Sequence, residues 1–389
     1  MTRNINDIPE PAFGSELNTV IVELEKLREK HLHGTVPPYV FFQLKDIFQT
    51  LESLGSTRIE GNRTTVSEYA EKIIARVQPE KDESMREITN LDKAIDFIEK
   101  NIKPGTPITR AVLSEIHKIV VEGLTPPPAG EGSMSPGAYR RHRVGIQNSE
   151  VETTEHVLIP AESEELFEFI NRDDYPTQYH LLVIALAHHR FTIVHPFDNG
   201  NGRVVRMLTY AQLLQQGFSV KSGRILNPTA IFCDSRDTYY DMLARADEGT
   251  DEGLLDWCLY VLKGLAREIE KIDNLLNRIY LRDEILSPML DRALKNKYIT
   301  DDEFVLLQYI VRTSEDMTIR AGDLERLLGT ESPVQRSRII GRLLEKEMIK
   351  PIEEGGRIYT ISFFGNYLFR EVTQLLIEKN FVPESLNKN

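Results

Sequence analysis

Residues 195–206 read HPFDNGNGRVVR, and the surrounding sequence is organised around this stretch. Upstream of it, residues 181–187 read LLVIALA, an apolar run typical of a helix that is buried on all sides. Downstream, Val205, Leu208 and Leu213 recur at roughly helical spacing, which predicts a second buried helix. We therefore expect the stretch to form a turn between two core helices.

This turn carries side chains and backbone groups that suit a polyphosphate. A turn before a helix exposes backbone N–H groups at the positive end of the helix dipole, where anions bind. Gly200 and Gly202 let the backbone bend and approach a ligand closely. Arg203 and Arg206 add planar guanidinium groups that match phosphate oxygens, and His195 stands at the mouth of the turn as a candidate base. The pattern predicts a phosphate cradle with a base beside it.

The stretch closely resembles the signature of the Fic (filamentation induced by cAMP) family, written HPFx(D/E)GN(G/K)RxxR. The resemblance implies a protein adenylyltransferase, which moves AMP from ATP to a Ser, Thr or Tyr hydroxyl of a target protein and releases pyrophosphate. It implies His195 as the base that accepts the hydroxyl proton. The match also covers Pro196 and Phe197. The residues that would bind the phosphates are Gly200, Asn201, Gly202, Arg203 and Arg206.

One position departs from the family pattern. The family carries an acidic Mg²⁺ ligand immediately before the first glycine, whereas this chain has Asn199 there and Asp198 one place earlier. Asn199 offers the cation only a neutral carbonyl oxygen, and Asp198 is a substitute if the turn presents it or if it acts through water. We therefore name both residues as candidate metal ligands, with ATP and Mg²⁺ as the expected cofactors.

A second short motif lies far upstream, where residues 56–62 read STRIEGN. Gly61 and Asn62 favour the end of a helix, so Glu60 would lie at a helix C-terminus, where its charge needs a cation. The fragment resembles the Fic inhibitory motif (S/T)xxxE(G/N), matching at Ser56, Glu60 and Gly61. The resemblance implies that Glu60 pairs with Arg206 and blocks the place of the ATP γ-phosphate. The alternative is a solvated glutamate at the end of a surface helix.

Two short β-prone runs, residues 144–146 and 157–159, flank a polar tip and predict a β-hairpin. This segment resembles the Fic flap, which aligns a segment of the target protein by strand addition beside the active site. The resemblance places four flap residues closest to the nucleotide, namely Ile146, Gln147, Asn148 and Ser149. The alternative is an ordinary surface hairpin.

Tyr239 and Tyr240 follow in a predicted helix, where an aromatic pair near a phosphate cradle can stack on or edge an adenine ring. The Fic family has a similar tyrosine pair with a polar residue a turn or two later, which corresponds to Asp247 here. The alternative is a pair of residues that belong to the core and its rim.

His188 and His189 precede His195 and raise the question of a metal site. Pro196 makes a continuous helix through His195 unfavourable, and no further histidine or cysteine lies nearby in the sequence. We therefore predict a structural role for His188 and His189, with metal binding as a minor alternative.

The pattern changes from Thr300 onward, where three helices and a β-hairpin over residues 349–361 are predicted. Capping boxes are predicted at Thr300 and at Ser332, the latter with a proline at the first helical position. This order resembles a winged helix-turn-helix domain. Its third helix carries four basic residues that could contact phosphates, namely Arg336, Arg338, Arg342 and Lys346. Nearby glutamates oppose DNA binding. Both DNA and a protein therefore stay open as the partner.

The 389 residues suggest two or three domains. We predict an N-terminal helical region with the inhibitory motif over residues 1–100, a catalytic core over 101–285, and a winged-helix-like region over 286–389 after a linker marked by Pro288. The predicted fold class is mainly α: an all-helical Fic core with a small β-hairpin flap, followed by a winged helix-turn-helix.

Composition narrows the function classes further. Hydrophobic residues make up 41% and charged residues 28% of the chain, without a long apolar run or a signal-peptide pattern at the start, and Cys233 and Cys258 are too few for a disulfide framework. We expect a cytoplasmic protein without a membrane partner. The net charge of −13 argues against broad nonspecific binding of nucleic acid.

Two functional alternatives remain besides adenylylation. The first is a nucleotide-responsive regulator with weak catalysis, which Asn199 favours, and which would bind DNA or a partner protein through the winged helix. The second is removal of AMP from a protein on the same cradle. The target protein, the hydroxyl that is modified and the presence of a homodimer stay open at this point.

Overall fold

The computed structural model describes residues 8–29, 35–146, 151–218, 228–329 and 332–387. Within these ranges the chain is mainly helical with one small sheet, as the sequence predicts. The described residues group into two compact units. The first unit draws on Met1–Leu32, Glu52–Arg63 and Gln78–Glu270, and the second on His33–Leu51, Thr64–Val77 and Lys271–Asn389. These units are not consecutive in sequence, unlike the three predicted regions.

The α-helices of the described residues are, in chain order, α1 (Glu16–Glu29), α2 (Pro38–Ile59), α3 (Val66–Ile74), α4 (Glu83–Asn101), α5 (Arg110–Val120), α6 (Ile159–Asn171), α7 (Thr177–Val194), α8 (Asn201–Gln215), α9 (Thr229–Asp234), α10 (Arg236–Asp247), α11 (Asp251–Leu275), α12 (Arg278–Tyr280), α13 (Ser287–Lys295), α14 (Asp301–Gln308), α15 (Asp323–Leu328), α16 (Pro333–Glu345) and α17 (Tyr367–Glu378). Short 3₁₀ helices lie at Pro79–Lys81 and Glu384–Asn387, and π-helical turns at Leu281–Leu286 and Tyr309–Thr313. Helices α2 and α11 contribute residues to both units.

Helices α7 and α8 form the centre of the first unit. Residues 181–187 of α7 are all buried, which confirms the helix that the apolar run predicts. Helix α7 packs against α6 and α8, while α8 also packs against α4 and α5. Helix α8 is buried along almost its whole length, from Asn201 to Gln215. The turn between the two helices is therefore held on both sides by the core of the unit.

The second unit contains a three-stranded antiparallel sheet beside a helical bundle. Its strands are β1 (Thr318–Arg320), β2 (Ile349–Pro351) and β3 (Ile358–Ile361), in the order β1-β3-β2. The β2–β3 hairpin confirms the sequence prediction, with Ile349 opposite Ile361. Strand β1 was not predicted, because three residues are too short for an alternating pattern to be recognised. Helix α17 packs against α3 and α13.

Two boundary predictions in this unit are wrong. Pro288 does not mark a linker, because it lies in the first turn of α13, and the π-helical turn Leu281–Leu286 runs directly into that helix. Ser332 makes no side-chain capping bond at the start of α16, although Pro333 does occupy the first helical position. The predicted capping box at Thr300 is present, and Glu303 completes it.

The predicted flap differs from its expected shape. Val157 and Leu158 lie in a turn and Ile159 begins α6, so the second predicted arm is not a strand. Instead, residues 151–154, which belong to the predicted tip, lie beside the first arm, since Thr153 Oγ1 donates a 2.5 Å hydrogen bond to the carbonyl of Val144. Arg143 and Glu152 form an ion pair at 3.3 Å across the same two segments. The described residues of this region therefore resemble a short hairpin held by side chains, without an assigned strand.

No helix among the described residues has both the length and the apolar content that a membrane crossing requires.

Candidate functional site

The turn after α7 adopts the conformation that the sequence predicts. His195 caps α7 with a left-handed backbone (φ 45°), and its N–H donates to the carbonyl of Phe191 at 2.9 Å. Gly200 follows with φ 76° and starts α8, a conformation that favours glycine. The carboxamide of Asn201 closes the turn, because Nδ2 donates to the carbonyl of Phe197 at 2.9 Å while Oδ1 accepts from the N–H of Phe197 at 3.0 Å. That side chain, predicted to contact phosphate, is thus used within the turn.

The start of α8 presents backbone N–H groups without a side-chain cap. The helix is 15 residues long, and no side chain caps its first turn. Its first internal hydrogen bond runs from the N–H of Val204 to the carbonyl of Gly200, at 3.0 Å. The preceding three N–H groups, of Asn201, Gly202 and Arg203, have no hydrogen-bond partner among the described residues. These donors therefore face outward with the positive end of the helix dipole.

A cavity of about 700 Å³ opens onto this helix end. It brings together most of the residues that the sequence singled out, and these are Glu60, Ile146, His195, Asp198, Asn199, Gly200, Asn201, Gly202, Arg206, Tyr239, Tyr240 and Asp247. Gln147, Asn148 and Ser149 lie outside the described residues. The cavity wall also includes residues that the sequence did not single out, such as Glu131, Thr192, Arg236 and Glu248.

Arg203 is not part of the cavity wall. Its side chain is fully buried and forms ion pairs with Glu87 at 3.0 Å and with Glu131 at 3.1 Å. One of its nitrogens, Nη2, also donates to the backbone carbonyl of Glu131 at 2.7 Å. The structure therefore does not bring Arg203 to the predicted phosphate position, and it places this guanidinium behind the turn as a support.

Arg206 is held by the two predicted regulatory residues. Its Nη2 lies 2.7 Å from Glu60 Oε1, and its Nε donates to Ser56 Oγ at 2.8 Å. Helix α2 ends at Ile59 and Gly61 has φ 112°, so the expected helix end places the glutamate here. The Glu60 carboxylate lies so close to Gly202 that an added Cβ at that position would collide with it. Glu60 thus covers the first turn of α8.

Glu60 remains charged in this position. Burial by itself would raise the pKa of its carboxyl group, but the attraction and hydrogen bond of Arg206, with Arg203 and Arg236 behind it, lower the pKa below its usual value. At neutral pH an anion of the protein itself therefore lies at the anion site of α8.

His195 has the properties of a general base. Its Nδ1 lies 3.2 Å from the carbonyl of Thr192, and because a carbonyl only accepts, Nδ1 carries the proton and Nε2 the lone pair. Burial lowers the pKa of the imidazole to about 4. The side chain lines the cavity, so a neutral imidazole is available there at pH 7.

Arg140 holds the backbone around His195, and the sequence analysis missed it. Its Nε donates to the carbonyl of His195 at 2.7 Å, and its Nη2 donates to the carbonyl of Thr154 at 2.5 Å. Its backbone N–H donates to the carbonyl of Pro196 at 2.9 Å. Arg140 is one of three arginines over residues 140–143, and nothing local in the sequence distinguishes the buried one.

His117 supports the turn from the opposite side and was also missed. Its ring stacks on Phe197 with centroids 3.8 Å apart. Nδ1 accepts from the N–H of Gly137 at 2.8 Å, so Nε2 carries the proton and donates to the carbonyl of Asn199 at 3.1 Å. Burial lowers the pKa of this histidine to about 4. The neutral ring therefore fixes the carbonyl of the residue next to Gly200.

The two candidate metal ligands differ in their surroundings. Both oxygens of Asp198 already accept hydrogen bonds, from Ser133 Oγ at 2.5 Å and from the N–H of Met134 at 3.0 Å, so this side chain anchors a loop. The Nδ2 of Asn199 points to the carbonyl of Gly132 at 3.2 Å and to Glu131 Oε2 at 3.4 Å. Asn199 and Glu131 are thus the oxygen donors available here, and such donors fit Mg²⁺ when phosphates supply most of its ligands.

His188 and His189 have the structural partners that the sequence analysis predicts. His188 lies between Thr209 Oγ1 at 2.8 Å and Tyr239 Oη at 2.9 Å. His189 Nε2 lies 2.8 Å from Asp247 Oδ1. Among the described residues, no three His, Cys, Asp or Glu side chains are grouped so that they could hold a metal.

The tyrosine pair forms the far wall of the cavity. Tyr239 is buried, whereas Tyr240 is 37% exposed, and their ring centroids are 5.3 Å apart. The guanidinium of Arg236 lies 5.5 Å from the Tyr240 centroid. A planar ring can pack against these aromatic side chains.

The comparisons with known proteins agree with this geometry. Residues 107–213 match the model of the Fic/DOC family. Over 196 residues, half of the chain, it is 26% identical to proteins named protein adenylyltransferase Fic from Drosophila yakuba and Drosophila melanogaster. The matched region spans 36% of the length of those relatives, about a third.

Solved structures show the same fold. A Fic family protein from Desulfovibrio desulfuricans G20 superposes with a TM-score of 0.56 at 18% identity, over 92% of this chain and 98% of that one. A Fic domain containing signaling protein from Bacteroides thetaiotaomicron VPI-5482 gives a TM-score of 0.50 at 17% identity, over 67% of this chain and 98% of that one.

Proposed function

We propose that the chain is a protein adenylyltransferase that is inhibited by its own Glu60. The observation that carries this proposal is one cavity that contains both the lone pair of a neutral His195 and the open N–H groups of α8. The names of the Drosophila relatives support the same reaction, and ATP and Mg²⁺ are the cofactors that it requires.

The cavity supports an in-line transfer of AMP. The triphosphate lies at the N-terminus of α8, where the free N–H groups and the released Arg206 stabilise its charge. His195 Nε2 accepts the proton of the incoming hydroxyl, whose oxygen forms a bond to the α-phosphorus. The bond from that phosphorus to the β-phosphate oxygen breaks, and pyrophosphate leaves with the electron pair. Asn199 and Glu131 would hold a divalent cation here, and Mg²⁺ would supply positive charge to the phosphates.

Inhibition follows from the position of Glu60. Its carboxylate covers Gly202 and binds Arg206, so a terminal phosphate would meet a like charge and find its cation already paired. Ser56 strengthens this arrangement through its bond to Arg206 Nε. We infer that the structure represents the inhibited form.

We further propose that the target protein docks beside residues 144–146. Val144, Gly145 and Ile146 line the cavity together with Val151. An extended segment of a target that pairs with this backbone would present its hydroxyl toward His195.

Labelled ATP tests the reaction itself. With the full chain carrying Glu60→Gly and a cell extract, we expect label from the α-phosphate of ATP to enter protein, while label from the γ-phosphate leaves as pyrophosphate. Label that enters protein from the γ-phosphate instead would identify a kinase reaction and contradict the proposal. Turnover of ATP without any labelled protein would contradict it as well.

The pH dependence of transfer follows from the pKa of His195. An ordinary histidine loses its basic form as the pH falls through 6.5, but here the pKa is lowered to about 4, so the neutral form persists below that point. We expect kcat/KM of the active protein to show no loss between about pH 8 and pH 5.5. An inflection near pH 6.5, measured by initial rates in buffers of constant ionic strength, would contradict this assignment.

The ion pairs of the second unit favour a protein partner over DNA. We propose a winged helix here, from the order α14, β1, α15, α16, β2, β3. Arg336, in the third helix, pairs with Glu325 at 2.9 Å, and Lys346, which follows that helix, pairs with Glu303 at 2.7 Å. These pairs reduce the charge that phosphates would meet. A shift of duplex DNA at low salt that responds to ATP would instead favour the nucleotide-responsive regulator.

A further inference from the structure

The cavity is acidic for a site that is to bind a polyphosphate. With His195 neutral, its charged side chains are five carboxylates against two guanidinium groups, namely Glu60, Glu131, Asp198, Asp247 and Glu248 against Arg206 and Arg236. Removal of Glu60 still leaves four carboxylates against two cations. A nucleoside triphosphate adds further negative charge, so its binding depends on an added cation.

The orientation of the Asn199 side chain indicates which neighbouring position can supply a carboxylate for that cation. Its amide nitrogen faces two oxygen acceptors, the carbonyl of Gly132 and the carboxylate of Glu131. Only the N–H₂ side of a carboxamide can donate to both. An aspartate in its place would put two carboxylates against each other at about the observed 3.4 Å, which is strongly unfavourable. The amide at 199 and the acid at 131 are therefore complementary.

Glu131 is held ready for a ligand. Its Oε2 and its backbone carbonyl both accept from Arg203, at 3.1 Å and 2.7 Å, and Arg203 is fully buried. The Glu131 side chain is 45% exposed and lines the cavity. Asp198 lacks such freedom, because both of its oxygens accept from the neighbouring loop.

We propose that Glu131 supplies the carboxylate for the divalent cation that accompanies the nucleotide, in place of the acid that Asn199 replaces. The inference rests on the proposed function. Oxygen ligands of this type are those that Mg²⁺ and Mn²⁺ bind, and a single protein carboxylate is sufficient when phosphates provide other ligands. The carboxylate that the family pattern has at position 199 is thus supplied from position 131, which lies 68 residues earlier in the sequence.

The test measures Mn²⁺ binding rather than activity. The full chain carrying Glu60→Gly, saturated with α,β-methylene-ATP, is titrated with Mn²⁺ and followed by electron paramagnetic resonance. We expect Glu131→Gln to weaken Mn²⁺ binding at least about tenfold. Its carboxamide oxygen can still accept from Arg203, so the loop keeps its anchor. Glu248→Gln removes the same charge from the same cavity and should change the Mn²⁺ affinity less than about threefold.

A double variant that exchanges the carboxylate and the carboxamide is the decisive test. Asn199→Asp combined with Glu131→Gln restores one carboxylate and one carboxamide in exchanged positions, and we expect it to recover most of the lost Mn²⁺ affinity. An equal loss in Glu131→Gln and Glu248→Gln would show a general field effect and overturn the inference, as would a swap that stays weak.

Nucleotide binding separates this inference from the proposed function. If the analogue binds but Glu131→Gln leaves the Mn²⁺ affinity unchanged, the inference about Glu131 fails and the proposed function stands. If Glu60→Gly binds no nucleotide with or without Mn²⁺ while it remains folded, both fail.

Discussion

Glu60→Gly increases the rate of AMP transfer by about tenfold or more relative to the unaltered chain. The substitution removes the carboxylate that covers Gly202 and frees Arg206 for the terminal phosphate. Every 1.4 kcal/mol of removed competition corresponds to a factor of ten, and a buried charged pair can exceed that value. The measurement is the initial rate of protein labelling from ATP labelled at the α-phosphate.

A matched control separates this effect from a general loosening of the fold. Glu29→Gly makes the same change at the exposed C-terminus of another helix, α1, and we expect the rate to stay as it is in the unaltered chain. Unfolding followed by Trp257, the only tryptophan and a buried residue of the first unit, checks that Glu60→Gly is folded. A folded Glu60→Gly that neither binds ATP more tightly nor labels protein faster would disprove inhibition by Glu60.

Raising the pH should not relieve this inhibition. Because Arg206 and its neighbours lower the pKa of Glu60, the carboxylate is charged at every pH above its usual value of 4.5. The ion pair is lost only as the pH falls through the lowered pKa.

His195→Ala, introduced into the Glu60→Gly chain, should reduce AMP transfer by about 10²- to 10⁴-fold, the usual contribution of a general base. Binding of ATP should change less than about twofold, because the free N–H groups of α8 and Arg206 are untouched. The comparison needs single-turnover rates of labelling and, separately, the dissociation constant for α,β-methylene-ATP.

The backbone at this position calls for a second variant. His195 has φ 45°, a conformation that alanine adopts with strain but asparagine tolerates. His195→Asn keeps the turn and its carbonyl bond to Arg140, yet it lacks a basic nitrogen, so it should lose as much activity as the alanine variant. His156→Ala, an exposed histidine away from the cavity wall, serves as the control. Transfer within tenfold of the parent in both His195 variants would refute the assignment of the base.

Local patterns were enough to predict much of the first unit. The apolar run over residues 181–187 predicts a buried helix, Pro196 opposes its continuation through the turn, and Gly200 permits the left-handed start of α8. The pair between Glu60 and Arg206 followed from the resemblance of two short motifs, and the structure places these side chains 2.7 Å apart.

Other features depend on contacts between distant parts of the chain. Arg203 and Arg206 have the same chemistry three residues apart on α8, yet one faces Glu87 and Glu131 behind the turn while the other lines the cavity. The flap was misplaced because residues 157–159 have strand-forming side chains but are the entry to α6. Propensity is weak compared with the tertiary packing that such a helix gains.

The amino-acid order therefore specifies the two core helices, the turn between them and the histidine at its edge, since these arise from periodicity and backbone preference within about thirty residues. The roles of Arg140, His117 and Glu131 arise only in the folded chain. Each contacts the turn from a different segment of the chain. The partners of such buried polar groups depend on which segments the core brings together, and a local sequence pattern does not contain that information.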